Sequence, residues 1–290
     1  MIESRGEKSF KIINNLLLAL IAAISLYPFI YVLSASISLP YNVVTGKVML
    51  WPKGLTFDAY KQVLGNVDIW LAYGNTIYYT LLGTAVSMVL TICGAYALSK
   101  TRLRGRVWIT IFVTLTLWFD AGMIPFYLTL RDLDLLNSRW GIIIAFASDA
   151  FKVILLRTSF EALPDELEES VKVDGGNDLQ VLWHVFLPLV KPALATVGLF
   201  YAIERWNGYF WAMIMLTDEK KIPLQVLLKK MIVENDLQSE FTTALDFAST
   251  ISAETVTYAT IIVSILPIVM VYPYLQKYFI KGMLVGAVKG

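Results

Sequence analysis

Ile69–Ser99 reads IWLAYGNTIYYTLLGTAVSMVLTICGAYALS and contains no Lys, Arg, Asp or Glu. A bilayer core about 30 Å thick takes about 20 apolar residues to cross as a helix, and this run is longer than that. Two other stretches share the pattern. Residues 12–46 are uncharged, with Ile12–Ala35 as their apolar part, and Thr255–Gln276 is uncharged too. Three more runs are apolar but interrupted by ions: Val107–Leu130 by Asp120, Trp140–Leu156 by Asp149 and Lys152, and Pro192–Leu216 by Glu204 and Arg205. Together they predict an all-α membrane protein with six transmembrane helices.

Composition points the same way. Hydrophobic residues make up 57% of the 290 and mean hydropathy is +0.63. Charged residues are 16%, against about 25% in ordinary soluble proteins. A net charge of +1 gives no pull toward nucleic acid. With a single cysteine, Cys93, an intrachain disulfide is impossible, and a single histidine, His184, excludes a polyhistidine metal site. No carboxylate pair, nucleophile–base set or metal cluster suggests catalysis, so the chain is not expected to be an enzyme. The basic flank of Arg5, Lys8 and Lys11 resembles that of a secretory signal, but the apolar stretch behind it is longer than the usual 7–15 residues and further spans follow.

Loop charges set the expected orientation. Lys100, Arg102, Arg104 and Arg106 crowd one short loop without an acid, whereas Arg131–Arg139 balances two arginines with Asp132 and Asp134. Both termini then lie in the cytoplasm, and the loops at 37–68 and 217–254 lie outside. Residues 1–68 read as an N-terminal tail, first span and outer loop. Residues 69–290 read as a core of five spans with a cytoplasmic loop at 161–190 and a cytoplasmic tail at 277–290. Trp51-Pro52 and Gly54–Tyr60 predict a turn and a short amphipathic helix, and Pro223–Val233 has helical spacing.

The loop carries the densest charge. Leu163–Gly176 reads LPDELEESVKVDGG. Pro164 suits a first helical turn, and Asp165, Glu166, Glu168 and Glu169 complement the positive end of the helix dipole. Leu163, Leu167 and Val171 recur every four residues as one apolar stripe. Gly175 and Gly176 stop the helix, Asn177 or Asp178 can cap the next, and Leu179–Val190 then leads through Leu187-Pro188 and Pro192 into the fifth span. A bland reading leaves the loop helix floating at the interface. Its acidic face would be repelled by anionic lipid, however, and fits docking into a groove on another protein better.

Glu169-Ser170-Val171, Asp174-Gly175 and Leu187-Pro188 resemble the glutamate–alanine–alanine, aspartate–glycine and hydrophobic–proline loop of ABC importer permeases, with Ser170 and Val171 in place of the two alanines. Trp206-Asn207 and the closing KYFIKGMLVGAVKG (Lys277–Gly290) are similar to carbohydrate-type permeases such as the smaller permease of the maltose importer. GMIPFYLTLRDLDLLNS (Gly122–Ser138) resembles the branch that handles larger oligosaccharides. The resemblance implies an oligosaccharide importer permease in a prokaryotic cytoplasmic membrane. Its partners would be a second permease, two ATPase subunits and an extracytoplasmic sugar-binding protein. In that family the loop helix sits in a cleft of the ATPase, which places Leu163, Leu167, Glu169, Ser170, Val171, Asp174, Gly175, Leu187 and Pro188 in the coupling element. It also implies that the small residues of the tail insert against the ATPase pair. No GxxxxGK[ST] phosphate loop occurs, so ATP would be bound by another chain, and no cofactor is expected on this one.

An ion at the bilayer centre costs about 2.5–3.5 kcal/mol, so five facing lipid unpaired would cost ~12–17 kcal/mol. At 1.5 Å per residue, Asp120, Asp149 and Glu204 all fall near the middle third, and Asp149 and Lys152 share a helix face. The ions either brace helices or line a wet pathway, in which Asp120, Asp149, Lys152, Glu204, Arg205, Trp206 and Asn207 are the candidates. Asn207 beside Trp206, Tyr209 and Phe210 suits sugar rings. Two rival readings remain at this point: a proton-coupled transporter using Asp120, Asp149 or Glu204, and a membrane scaffold that transports nothing.

Overall fold

The computed structural model describes residues 5–241 and 247–287. The helices are α1 (Arg5–Ser36), α2 (Pro40–Val44), α3 (Asp58–Gly65), α4 (Val67–Ser99), α5 (Arg106–Leu115), α6 (Met123–Asp132), α7 (Arg139–Ala145), α8 (Ala150–Glu161), α9 (Glu166–Val173), α10 (Asp178–Leu189), α11 (Lys191–Asn207), α12 (Phe210–Met215), α13 (Leu224–Phe241) and α14 (Phe247–Ala287). Among the described residues, strand pairing is limited to an isolated bridge between Ser38 and Leu55. The helix expected from Gly54 begins at Asp58, and the one expected from Pro223 runs on to Phe241. The tail reading at Lys277–Gly290 concerns side chains outside the described residues.

Among the described residues, three helical stretches are long and apolar enough to cross a membrane: Gly6–Ser36, Val67–Ser99 and Ala253–Pro273. They coincide with the three charge-free runs. The ion-bearing runs are built differently, because each is broken where its ions lie. Between α5 and α6 the chain turns at Asp120, whose carboxylate accepts the Gly122 N–H at 2.9 Å while Gly122 takes φ +83°. Between α7 and α8, Asp149 is the N-cap of α8 and accepts the Lys152 N–H at 2.9 Å. Glu204 and Arg205 occupy the last turn of α11, just before the break at Gly208 that precedes α12. Helix ends leave backbone groups without intrahelical partners, and short polar side chains are what satisfy them.

The chain forms two compact units. One comprises residues up to Trp70 together with Leu227–Leu266. Its small core gathers Ala35, Val43 and Val48, with Tyr31 and Tyr258 packed on them and their two rings edge to face at 5.9 Å. Residues 12–30 of α1 are exposed along their length. The other unit comprises Leu71–Val226 and the chain from Pro267. Its core joins α4, α8, α10 and α11 through Tyr96, Leu156, Phe160, Phe186, Val197 and Tyr201. The rings of Tyr96, Phe160 and Phe186 meet at 5.5 to 6.0 Å, within the range of favourable aromatic pairs. The turns of α10 over Val181–Phe186 are π-helical, and α10 meets α11 at a bend of 86°. Pro188 and Pro192 lack the N–H groups that would carry a straight helix across Val190.

Candidate functional site

The loop at 161–190 folds around one carboxylate. Pro164 and Asp165 lead into α9, and α9 ends with Gly175 at φ +79°. The Gly175 N–H bonds the Lys172 carbonyl at 3.0 Å and the Gly176 N–H bonds the Val171 carbonyl at 2.8 Å, the paired closure of a Schellman cap. Gly176 also allows close approach, since a β-carbon there would lie 2.4 Å from the Val171 side chain. Asn177 then opens α10 in a reciprocal capping box with Gln180, at 2.8 and 2.9 Å.

Of Asp165, Glu166, Glu168 and Glu169, it is Glu168 that turns inward and is buried. Lys100 and Lys172 pair with it, and Arg102 donates to it at 2.6 Å while also reaching Asp178 at 2.6 Å. Partial burial works against the Arg102 charge, but Glu168 and Asp178 outweigh it and hold its pKa above the ordinary guanidinium value. The Lys100 ammonium lies 3.8 Å from the Phe186 ring centre. One loop corner thus fastens the end of α4 to α9 and α10. Arg106 and Arg157 add a second tie through Glu161.

This changes the reading of α9. Leu163 and Val171, the two ends of the apolar stripe, pack on the unit's own core, and Leu167 between them is half-buried. Burying the stripe there is the more economical solution, because that core lies directly beneath. Glu169, Ser170, Val173, Asp174 and Gly175 are exposed, Val173 to 87%. The surface offered outward is therefore a short acidic and hydroxylated edge with one apolar residue. Leu187 packs on the same core, and Pro188 stands exposed at the bend.

The ions of the broken helices meet around two cavities. Lys152 is 2% exposed, and its ammonium donates to both Glu204 carboxylate oxygens at 2.8 Å and lies 3.4 Å from Asp149. The Tyr201 ring centre is 4.6 Å away, and the Tyr201 hydroxyl bonds Thr91 at 2.7 Å. Asp120, Asp149 and Glu204 line a cavity of about 370 Å³ whose walls include Phe126, Phe146 and Trp211. Those rings pack against one another with centres 4.9 to 6.0 Å apart. A second cavity of about 270 Å³ takes in Glu204, Asn207, Tyr209 and Phe210 and shares Phe146 and Trp211 with the first.

Arg205 has a separate task. Its guanidinium donates to the carbonyls of Ile142 at 2.6 Å, Ile143 at 3.0 Å and Phe146 at 2.6 Å, and to the Ser87 hydroxyl at 3.2 Å. The carbonyls belong to the C-terminal turn of α7, so a fixed cation caps the negative end of that helix. Gly83 lets α4 pass, since a β-carbon there would come within 3.0 Å of Nε. Trp206 is buried away from Asn207, against an apolar pocket of about 310 Å³ formed with Ile77, Leu81, Leu199 and Ile203. Polar walls come from Asn207 instead, and the wall rings from Tyr209 and Phe210 in the second cavity and from Phe126, Phe146 and Trp211. The last three rings went unread in the sequence because they are scattered over three elements and share no spacing.

The chain matches the family described as binding-protein-dependent transport system inner membrane component over residues 6–285. It is 37% identical to Protein LplC of Bacillus subtilis, covering 100% of this chain and 98% of that one. It is 39% identical to the polygalacturonan/rhamnogalacturonan transport system permease protein YtcP of the same organism, over 94% of this chain and 96% of that one. A chain of a bacterial ABC transporter involved in the import of the acidic polysaccharide alginate superposes with a TM-score of 0.88 at 48% identity, covering 96% of this chain and 99% of that one.

Proposed function

The chain belongs to the family of inner-membrane components of binding-protein-dependent transport systems, and on that premise we propose that it carries oligosaccharides released from complex polysaccharides. It is a permease subunit of an ABC importer, a transport component rather than an enzyme. The substrate class follows the relatives named for pectic and alginate polymers. The transporter would hold a second permease, two ATPase subunits that use the ATP, and an extracytoplasmic sugar-binding protein. This chain would make six crossings with both termini cytoplasmic. α5 has 10 residues and rises about 15 Å, half of a bilayer core, so α5 and α6 together would form one crossing. The same logic pairs α7 with α8, and the short α12 would complete the crossing begun by α11.

The observation that carries the coupling role is the Glu168 corner. It ties α9 and α10 to the end of α4, while Glu169, Ser170 and Val173 remain outward. An ATPase closing on that edge would move α9, α10 and the start of α11 as one piece. Asp120, Asp149, Glu204 and Asn207 would line the sugar path, with Lys152 and Arg205 bracing it and the Phe126–Phe146–Trp211 rings offering faces to sugar rings. The test is uptake by the whole assembly. Disulfide trapping between Ser170→Cys or Val173→Cys and a scan of the ATPase cleft should give crosslinks. Glu169→Lys should abolish uptake while membrane insertion is unaffected. Wild-type uptake by that variant, with no crosslink from either position, would refute the coupling role.

A further inference from the structure

The segment from Leu39 to Phe57 exposes more apolar surface than scattered surface residues account for: Leu39, Tyr41, Met49, Trp51, Leu55 and Phe57 are all exposed, Met49 to 67% and Trp51 to 80%. It is not a loose loop. The Ser34 hydroxyl donates to the Leu50 carbonyl at 2.7 Å, the Ser38 hydroxyl donates to the Ser34 carbonyl at 2.6 Å, and the Lys53 N–H donates to the Ser38 hydroxyl at 3.0 Å. The Asn42 amide reaches the Lys53 carbonyl at 2.8 Å, and the Ser38–Leu55 bridge closes the segment. A fixed scaffold therefore presents an apolar tip that stays exposed among the described residues of this unit.

Those same bonds set its depth. The charge-free part of α1 starts at Ile12, directly after Lys11. From Ile12 to Ser34 the helix rises about 33 Å, against a hydrocarbon core of about 30 Å. Ser34 therefore lies just beyond the hydrocarbon, and Leu50, bonded to it, lies at headgroup level with Trp51 beside it. Phe29, Ile30 and Leu33 on the last turns of α1 are exposed as well. Lys47 and Lys53 are the only Lys, Arg, Asp or Glu residues between Ile37 and Phe57, so the rim is wholly cationic. Tryptophan and lysine at headgroup depth are the side chains that suit an interface.

We propose that the Met49–Lys53 tip is a membrane-surface anchor, with Trp51 seated among the headgroups of anionic phospholipids and Lys47 and Lys53 on their phosphates. The orientation proposed above enters only in naming the leaflet as the outer one, so failure of either claim leaves the other standing. The test uses the assembled transporter in phosphatidylglycerol-rich vesicles, with Cys93 replaced and a spin label at Trp51→Cys or, as a water reference, at Lys61→Cys. The label at 51 is expected to collide with dissolved oxygen in preference to a water-soluble nickel chelate, and the label at 61 to show the reverse. Lipids brominated near the headgroup give the same depth without a label, from the quenching lost in Trp51→Phe. Reversing Lys47 and Lys53 to Glu should weaken the association by about fivefold or more per residue in anionic vesicles, with a much smaller change in phosphatidylcholine. Equal nickel accessibility at 51 and 61, or the same lipid response with and without the lysines, would overturn the proposal. So would protection of 51 only after the sugar-binding protein is added, which would assign the tip to that partner.

Discussion

Lys152 is held by two carboxylates of unequal exposure, and this predicts a specific pattern of non-additivity. The ammonium is 2% exposed, while 41% of the Asp149 side chain and 62% of the Glu204 side chain remain open. Glu204→Gln keeps an acceptor within reach and leaves Asp149 3.4 Å away, so it should cost about 1 kcal/mol. Asp149→Asn keeps the cap on α8 and leaves Glu204 in place, and should also cost about 1 kcal/mol. The double variant leaves a buried ammonium with no carboxylate to balance its charge, for which the expected loss is about 3–5 kcal/mol. The Tyr201 ring at 4.6 Å supplies a face for the cation and places the value toward the lower end. The coupling energy should therefore be about 1–3 kcal/mol. The assay is SDS-induced unfolding of the purified transporter in mixed micelles for all four proteins, with uptake measured in parallel. Additivity within about 0.5 kcal/mol would refute the argument, because it would mean that water already solvates Lys152.

Arg205→Lys should destabilise the transporter by about 2 kcal/mol or more in the same assay, because an ammonium cannot span the three α7 carbonyls that the guanidinium holds. Gly176→Ala should speed proteolysis of the loop at 161–190 more than Gly175→Ala does: the former forces a β-carbon to within 2.8 Å of the Val171 carbonyl, while the latter costs about 1–2 kcal/mol of left-handed backbone. With Cys93 replaced, impermeant thiol reagents should label Lys61→Cys only from outside intact cells and Arg104→Cys only after permeabilisation. The opposite pattern would invert the proposed topology.

The continuous spans α1 and α4 and the apolar stretch of α14 were legible because length and hydropathy alone define them. The breaks were not. Asp120 and Asp149 register in the sequence as ions to be paid for in lipid, whereas in the fold each satisfies backbone at a helix end. A short acid followed by a helical run, as at Asp149-Ala150, is a cap signal that would have located one break. Asp165, Glu166, Glu168 and Glu169 are chemically alike along the chain. What separates Glu168 is the approach of Lys100 and Arg102 from far away in sequence. The four-residue stripe of α9 correctly marked one face of a helix. Its burial under the unit's own core depends on Val181, Phe186 and Tyr96, which no local pattern connects to Leu163. Arg205 and Glu204 are adjacent in sequence yet point to opposite duties, one toward carbonyls and one toward a cavity.

The right-angle joint between α10 and α11 is also a crank. α10 is short and clamped at its start, whereas α11 extends from Lys191 to Asn207, an arm of about 24 Å. Turning that arm by about 5° about the joint sweeps Asn207 through about 2 Å, while atoms next to Pro188 hardly shift. Glu204 rides near the tip of the arm, and Lys152 is anchored on α8. The 2.8 Å contact between them would therefore open or close with any rotation at that joint, and its length would gauge the angle.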